Sequence, residues 1–383
     1  MTTPQTKSRL VFIDLLRGWA GIVMVEVHVF NAFLLPVIKE TGWFSIVNFI
    51  NGLVAPTFLF VAGFIFLVTS RRKLDDFRMF GPVFWKQLNR IALIWIIGYG
   101  LHLPFFSLSR TIHETTGAGW LMFYQVDILH CIALGMLFVF LTRVFIRQDR
   151  AYERVLLVSG LAVVIVAPLV ADFDLIYSVP PVLAAYINGQ HYSQFPAFPW
   201  LGFLLLGGYC GAVYMRWKGE GREREYFTRL PWFALGFYAA GSLLIELPLR
   251  IPYVSTSIRT NPLFFSTRFG VVLLLMLICW YYAERRTAQR SFVLDVSRES
   301  LLVYTAHLMV IYARYLQDTS LVSRYGGSWS LPECIAATVG LIAFMAVAAR
   351  AWGWVKQRSL SSARVISYAT GIVTLVLFIV RKG

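Results

Sequence analysis

The run VFIDLLRGWAGIVMVEVHVFNAFLL, from Val11 to Leu35, decides the class of fold. It is mostly apolar and longer than the roughly 20 residues that an α-helix needs to cross a hydrocarbon core of about 30 Å. Similar apolar runs recur along the whole chain. Each is too long and too uniformly apolar for the alternating strands of a membrane barrel. The sequence therefore predicts an all-α, polytopic integral membrane helical bundle with about eleven transmembrane helices, at approximately 10–35, 43–69, 87–106, 121–142, 154–171, 195–215, 231–249, 263–283, 299–316, 332–354 and 363–380.

The composition supports the same class. Of the 383 residues, 58% are hydrophobic and only 14% are charged. A soluble domain is closer to half apolar and a quarter charged, so this composition argues against an ordinary globular enzyme. The connections between the apolar runs are short, so we expect one transmembrane domain over residues 1–383, with any chemistry inside it or at its edges.

The basic residues alternate between the two sides of the predicted bundle. Most of the 35 Lys and Arg lie in the N-terminal segment and in the connections that follow the even-numbered spans. By the positive-inside rule the N-terminus is cytoplasmic, and eleven spans put the C-terminus outside. The net charge of +15 thus reflects topology rather than a nucleic-acid partner. We expect a protein of a bacterial inner (cytoplasmic) membrane in contact with membrane lipid, with homodimer formation left open.

The first span carries polar side chains on one face. At 100° per residue, Asp14, Arg17 and His28 share a face, whereas Glu26 lies on another. Arg17 and His28 are 11 residues apart, or about 16 Å along the axis, so they mark two depths of one polar path. Ionisable groups in a bilayer are costly and usually functional. The alternatives are a structural Asp14–Arg17 ion pair and a histidine that is merely satisfied in the core.

Two later spans add polar residues at helical spacing. Asp127 and His130 are three residues apart, so one can orient the other or both can line a cavity. Ser300, Tyr304 and His307 share one face of the ninth span. Interhelical hydrogen bonding is an equal alternative to catalysis for these two groups. His102 is expected to lie at the membrane interface. The four cysteines lie alone in different spans, and we expect no metal cofactor.

Five segments resemble, in order, motifs of the transmembrane acyltransferases: the heparan-alpha-glucosaminide N-acetyltransferase catalytic-domain family and, more distantly, the acyltransferase-three O-acyltransferases of bacterial envelope glycans. In this resemblance Ala62 stands where serine is frequent, and His130 replaces a glutamine. It covers about residues 9–315, which leaves extra C-terminal helices at about 332–380. The segments are RLVFIDLLRGWAGIVMVEVH (Arg9 to His28), PTFLFVAGFIF (Pro56 to Phe66), QVDILHCIALG (Gln125 to Gly135), FPAFPWLGFLLLGGYCG (Phe195 to Gly211) and SRESLLVYTAH (Ser297 to His307).

The resemblance implies transfer of an acyl group, for which we expect acetyl, from cytoplasmic acetyl-CoA or another acyl-CoA to a hydroxyl or amine of a sugar or glycan. An alcohol attacks a thioester slowly, so the site needs a base that is neutral near pH 7, and imidazole fits. Arginine recognises phosphate through paired hydrogen bonds and suits the coenzyme. The predicted residues are His28 (general base or transient acyl carrier), Asp14, Asp127 and His130 for catalysis; Arg17, Arg9 and Arg90 for coenzyme binding; and Tyr304, His307 and Ser300 for substrate binding.

Two other classes of protein compete with an enzyme. A secondary transporter of a small polar solute or glycan precursor would also have polar residues along a central path. Transporters often show inverted repeats and paired interrupted helices, and neither is evident in this sequence. A purely structural membrane protein would explain the topology but not the alignment of Asp14, Arg17 and His28 on one face.

Overall fold

The computed structural model describes residues 10–245, 255–285, 291–313 and 319–381, and their regular structure is helical apart from an isolated bridge between Leu34 and Trp329. The first helices are α1 (Val11–Phe33), α2 (Pro36–Lys39), α3 (Gly42–Asn51), α4 (Val54–Ser70), α5 (Leu74–Arg78), α6 (Pro82–Leu101), α7 (Leu108–Glu114), α8 (Gly117–Tyr124), α9 (Ile128–Phe145) and α10 (Asp149–Val170). The later ones are α11 (Pro181–Ile187), α12 (Ala197–Gly219), α13 (Glu223–Leu244), α14 (Pro262–Arg285), α15 (Phe292–Arg298), α16 (Ser300–Tyr312), α17 (Leu321–Tyr325), α18 (Leu331–Arg358) and α19 (Leu360–Val380). The predicted all-α fold is confirmed.

Seven helical segments in the described ranges are long and apolar enough to cross a membrane: Gly42–Ser70, Ile128–Phe145, Asp149–Val170, Ala197–Gly219, Pro262–Arg285, Leu331–Arg358 and Leu360–Val380. The chain is thus an integral membrane protein with several spans. Helices α1, α6, α13 and α16 occupy the other four predicted spans. The first three have 23, 20 and 22 residues, whereas α16 has 13. That these four helices also cross the membrane, which would make eleven spans, stays a prediction.

The predicted span at 121–142 is interrupted in the structure. Helix α8 ends at Tyr124, and α9 begins at Ile128 with Asp127 as its N-cap. The interpretation of Asp127 and His130 as two residues inside one continuous helix is therefore wrong. The Asp127 carboxylate accepts the backbone N–H of His130, and this capping bond satisfies a donor that a helix start leaves unpaired.

Helix α1 packs at the centre of the bundle, against α4, α14, α15, α16 and α18. Close approach to α15 depends on Gly18, because a Cβ there would lie 2.6 Å from the Cγ1 of Val293. A Cβ at Gly21 would lie 3.1 Å from the Cγ1 of Val296 on the same helix. The two glycines thus admit a neighbouring helix, as small residues do in membrane bundles, and this packing carries α15 and α16 against the polar face of α1.

The tight contact between α4 and α12 gives a testable prediction. A Cβ at Gly207 would lie 2.7 Å from the Cα of Phe60, so Gly207→Ala should lower stability by about 1–3 kcal/mol through overpacking. The matched control is Gly236→Ala on α13, where nothing lies within 4 Å of an added Cβ. The control should match or exceed the wild type, because alanine favours a helix by about 1 kcal/mol over glycine. Thermal unfolding in detergent measures both, and equal shifts would contradict the packing described.

Candidate active site

A buried ion pair lies at the N-terminal end of α1. Asp14 accepts a 3.0 Å hydrogen bond from Nη2 of Arg17, and both residues are at least half-buried. Nε of Arg17 donates at 3.0 Å to Oγ of Ser297, which is fully buried on α15. Two elements therefore fix the guanidinium in place. Asp14 and Arg17 thus form the structural ion pair that was one of the alternatives from sequence. Arg17 can have a second role as well, because it also borders a cavity.

That cavity, called here the Arg17 cavity, has a volume of about 310 Å³. Arg17 and Arg90 line it together with Ser300 and Tyr304, so four of the predicted site residues converge there. The rest of its lining is mostly apolar and comes from α4, α6 and α9. Arg9, predicted to bind the coenzyme, lies outside the described residues. The cavity thus combines a cationic region with a long apolar wall.

His28 and His307 face each other across α1 and α16. Nδ1 of His28 lies 2.8 Å from the carbonyl oxygen of Met24, which can only accept, so Nδ1 carries the proton. Nε2 of His28 makes no hydrogen bond to any described residue, and whenever the ring is neutral its lone pair lies there. Nδ1 of His307 donates at 2.7 Å to the carbonyl of Val303, and its Nε2 lies 3.3 Å from Nδ1 of His28. His307 therefore holds the His28 ring, and His28 is the imidazole with a basic nitrogen available.

Asp127 joins side chains from three parts of the chain. Its Oδ1 lies 2.6 Å from Nδ1 of the fully buried His130. Its Oδ2 accepts a 3.4 Å hydrogen bond from the hydroxyl of Tyr304 and lies 3.2 Å from Nε2 of His102. Nε2 of Gln125 in turn donates to Nδ1 of His102 at 2.8 Å. The carboxylate thus hydrogen-bonds one imidazole and a phenol and lies beside a second imidazole.

A second cavity, called here the His102 cavity, lies at the other end of these groups. Its volume is about 420 Å³, and its lining includes His102, Glu114, Thr115, Gln125 and Tyr312. Along α16, Ser300 lines one cavity and Tyr312 the other, and their 12-residue separation corresponds to about 18 Å. The two cavities therefore open at different depths of the bundle.

A series of contacts connects the two cavities. The ring centroid of Tyr304 lies 5.8 Å from that of His307, which lies 4.9 Å from that of His28. The His28 ring is in turn 6.1 Å from Tyr312. We call the set His28, His102, Asp127, His130, Tyr304 and His307 the polar layer. Tyr304 of this layer lines the Arg17 cavity, and His102 lines the other, so the layer connects the two cavities.

The structure brings together most of the residues predicted from sequence. His130 bonds Asp127, and His28, His130 and His307 line neither cavity, so their predicted catalytic and substrate-binding roles stay predictions. His102, expected at the interface, does end α6 but contacts Asp127. Ser297 begins the fifth sequence segment but was not predicted as a site residue. Tyr312 was not predicted either, because it lies about 80° around α16 from Tyr304 and does not share its face.

A metal ion would find three ligands in the same layer. One ligand atom each from His102, Asp127 and His130 lies within 4.8 Å of the others. The 2.6 Å contact between Asp127 and His130 already has the length of a direct hydrogen bond. The expectation that the reaction uses no metal therefore stays a prediction.

Comparison with known families assigns the class of protein. Residues 10–355 match the acyltransferase domain that defines the acyltransferase-3 family. All residues of the two cavities and of the polar layer lie within this range. The chain belongs to this family of membrane acyltransferases. The prediction of an enzyme is thus confirmed, while the narrower heparan-alpha-glucosaminide subfamily stays a prediction. A search of curated proteins finds no match.

Proposed function

We propose that the protein transfers an acyl group, acetyl in the simplest case, from acyl-CoA to a hydroxyl or amine of a sugar or glycan. The observation that carries this proposal is the basic Nε2 of His28 in a layer between two cavities. A two-substrate transfer needs one base that both reactants can reach. His28 lines neither cavity, but its ring contacts Tyr312, which lines the His102 cavity, and His307, which contacts Tyr304 of the Arg17 cavity. Membership of the heparan-type N-acetyltransferase subfamily would imply an amine acceptor.

The Arg17 cavity suits the donor. Arg17 and Arg90 offer charge-assisted hydrogen bonds to the coenzyme phosphates, and the apolar wall suits the slim pantetheine arm. Asp14 and Ser297 keep the Arg17 guanidinium in one orientation, which lowers the entropy lost on binding. The distance of about 16 Å along α1 from Arg17 to His28 gives room for an extended ligand.

The proposed reaction proceeds by general-base catalysis. Nε2 of His28 removes the proton from the acceptor hydroxyl or amine as that atom attacks the thioester carbonyl. The C–S bond then breaks, and the imidazolium returns the proton to the leaving thiolate. Transfer of the acyl group to Nε2 before it reaches the acceptor is the competing sequence. Rapid denaturation at neutral pH after mixing with radiolabelled acetyl-CoA and no acceptor separates the two sequences, because only the second leaves label on the protein and an acyl-imidazole is lost in acid.

The basic connections support an orientation for this reaction. The loops on the Arg17 side carry most of the Lys and Arg, so this side would face the cytoplasm, where acyl-CoA is made. We place the protein in a bacterial inner membrane with the N-terminus cytoplasmic and the C-terminus outside. Lipid contacts would cover the exposed apolar helices, and a homodimer is compatible with that surface.

Thermal stabilisation by the donor tests the proposed function. A ligand that binds the folded state stabilises it by about 2.7 kcal/mol at 100 times its dissociation constant. We expect acetyl-CoA, but not free acetate, to raise the unfolding temperature of the purified protein in detergent. Identical melting curves in the two solutions would overturn acyl-CoA as the donor.

Arg90, which lines the Arg17 cavity, gives a prediction about the coenzyme-binding site itself. Arg90→Ala should weaken acetyl-CoA binding by about tenfold or more, since a hydrogen bond to a charged group contributes about 1.5–3 kcal/mol. Lys86→Ala is the matched control, because Lys86 lies one turn earlier on α6 and does not line the cavity. Binding is measured by titrating acetyl-CoA against the unfolding temperature. Equal weakening in both variants would show general attraction to basic residues instead of a defined site.

A further inference from the structure

We propose that a pocket on the Arg17 side of the bundle binds one phosphate group, supplied either as free phosphate or as the headgroup of an anionic membrane lipid. The pocket, called here the Arg216 pocket, lies where α4, α9 and α12 end and α10 begins. Its lining residues border neither the Arg17 cavity nor the His102 cavity, so this binding site does not depend on the proposed reaction. Its charged lining residues are Arg71, Arg143, Asp149, Arg150, Glu153 and Arg216.

The pocket carries more positive than negative charge. Four guanidiniums and two carboxylates are among the described residues that line it, which leaves two positive charges in excess. Helix ends offset part of this excess, because Nη1 of Arg71 donates at 3.3 Å to the carbonyl of Met215. Nη1 of Arg143 likewise donates at 3.4 Å to the carbonyl of Ile146, and its Nη2 bonds Asp149. Carbonyls at a helix end carry only partial negative charge, so the pocket still attracts an anion.

Two of the arginines share a single carboxylate. Glu153 is buried, and its Oε2 lies 3.6 Å from Nη1 of Arg150 and 3.5 Å from Nη2 of Arg216. Both distances exceed the roughly 2.7–2.9 Å of a charge-assisted hydrogen bond. Nε of Arg216 is buried as well and makes no hydrogen bond to the described residues. Neutralising Glu153 needs only one of these two cations, so N–H donors are left over on the pocket wall.

These donors suit a phosphate group. A guanidinium binds phosphate oxygens through paired N–H bonds, and one phosphate has enough oxygens for several arginines. The pocket has a volume of about 190 Å³. This is less than the range of about 300–1,000 Å³ that is usual for sites of larger small molecules. The pocket therefore fits a single phosphate group and is too small for the nucleotide of coenzyme A.

The position of the pocket admits both sources of phosphate. The four helices that form it belong to segments long and apolar enough to cross a membrane, so their ends lie near the membrane surface. Lipid headgroups and dissolved phosphate both occur at that level. A ligand held by Arg71, Arg150 and Arg216 would connect the ends of α4, α10 and α12.

Binding of two probes to the full chain in an uncharged detergent tests the pocket. Radiolabelled inorganic phosphate is titrated by equilibrium dialysis, and retained phosphatidylglycerol is counted by native mass spectrometry against phosphatidylcholine. We expect one saturable site per chain for at least one probe. A site for inorganic phosphate alone would assign free phosphate, and a site for phosphatidylglycerol would assign the lipid headgroup. The absence of a saturable site for both probes would overturn the proposal.

Two separate substitutions locate the binding. Arg216→Gln and Arg150→Gln each remove one guanidinium and should weaken binding of the probe about tenfold or more, as expected for a lost hydrogen bond to a charged group. The Arg150 side chain is 58% exposed, so its variant should fold even where Arg216→Gln does not. Arg147→Gln is the matched control, because Arg147 is exposed, lies three residues before Arg150 and does not line the pocket. Equal binding in Arg150→Gln and Arg147→Gln would contradict the assignment.

A conservative substitution separates charge from geometry. Arg216→Lys keeps a cation beside Glu153 but removes the planar set of N–H donors and the buried Nε. It should unfold close to the wild-type temperature and still bind the probe about fivefold more weakly or worse. Wild-type binding in Arg216→Lys would show general attraction to positive charge and would overturn a site with defined hydrogen bonds.

Acetyl-CoA separates the Arg216 pocket from the proposed donor site. We expect Arg150→Gln and Arg216→Gln to bind acetyl-CoA as the wild type does, measured by titration against the unfolding temperature. Weaker acetyl-CoA binding in both variants would assign these arginines to the coenzyme and overturn a separate phosphate site. Failure of the wild type itself to bind acetyl-CoA would contradict the proposed function alone, because the two phosphate probes are measured without the coenzyme.

Discussion

Replacing His28 with glutamine is expected to reduce acyl transfer by about 10²–10⁴-fold, the range that a positioned general base contributes. The substitution removes the basic Nε2 and keeps a polar side chain of similar length. Acetyl-CoA should still stabilise the variant, because Arg17 lies about 16 Å away along α1 and Arg90 lies on another helix, α6. The measurement is the rate of CoA release with saturating acetyl-CoA and acceptor.

His113→Gln is the matched control for this substitution. His113 lies on α7, is exposed, and bonds only the backbone carbonyl of Ser109 among the described residues. The control should retain full activity. If His28→Gln remained within a few-fold of the wild type while still folded, His28 would be a structural residue, and the base would have to be sought elsewhere in the polar layer.

Asp127→Ala should have the largest effect on stability. The change deprives His130 of acceptors for its backbone N–H and its ring, and Tyr304 of an acceptor for its hydroxyl. An N-cap contributes about 0.5–2 kcal/mol, and each buried donor left unpaired costs about 1–3 kcal/mol. We expect a loss of about 3–5 kcal/mol, measured by thermal unfolding, together with loss of activity.

Asp174→Ala controls for the general loss of an aspartate–histidine contact. Oδ1 of Asp174 lies 2.8 Å from Nε2 of His191 in an exposed loop, and this hydrogen bond lowers the pKa of Asp174. Exposed ion pairs contribute little to stability because water screens them, so this variant should melt close to the wild type. Asp127→Asn separates folding from catalysis, because asparagine can still cap α9 but carries no charge. Equal destabilisation by Asp127→Ala and Asp174→Ala would contradict the role assigned to the buried carboxylate.

The helical class could be predicted from sequence because it depends on the length and continuity of apolar runs. The break before Asp127 could not, because apolar residues continue on both sides of it and the capping bond to His130 is a local choice that hydropathy does not record. The point at which α16 ends could not be predicted from hydropathy either. Its apolar run continues past Tyr312, and the structure shows the helix only to that residue.

The site was predictable where its members share one helix. Arg17 and His28 follow from the period of α1, and Ser300, Tyr304 and His307 follow from that of α16. The meeting of these two faces with Asp127 is tertiary, because those residues are more than 90 positions apart in sequence. His102 was missed as a member of the polar layer for this reason: nothing near it in the chain indicates its contact with Asp127.

The tautomers of the two facing histidines have a consequence for proton conductance. A proton can cross a row of imidazoles only if each ring passes it on to a group that can accept it and release it again. Nδ1 of His28 and Nδ1 of His307 both donate to backbone carbonyls, of Met24 and Val303. A carbonyl oxygen accepts a hydrogen bond but does not carry a proton onward at neutral pH. With both Nδ1 protons directed at backbone carbonyls, the two rings do not by themselves form a relay of imidazoles, and His28 would exchange its catalytic proton through Nε2 with the reactants alone.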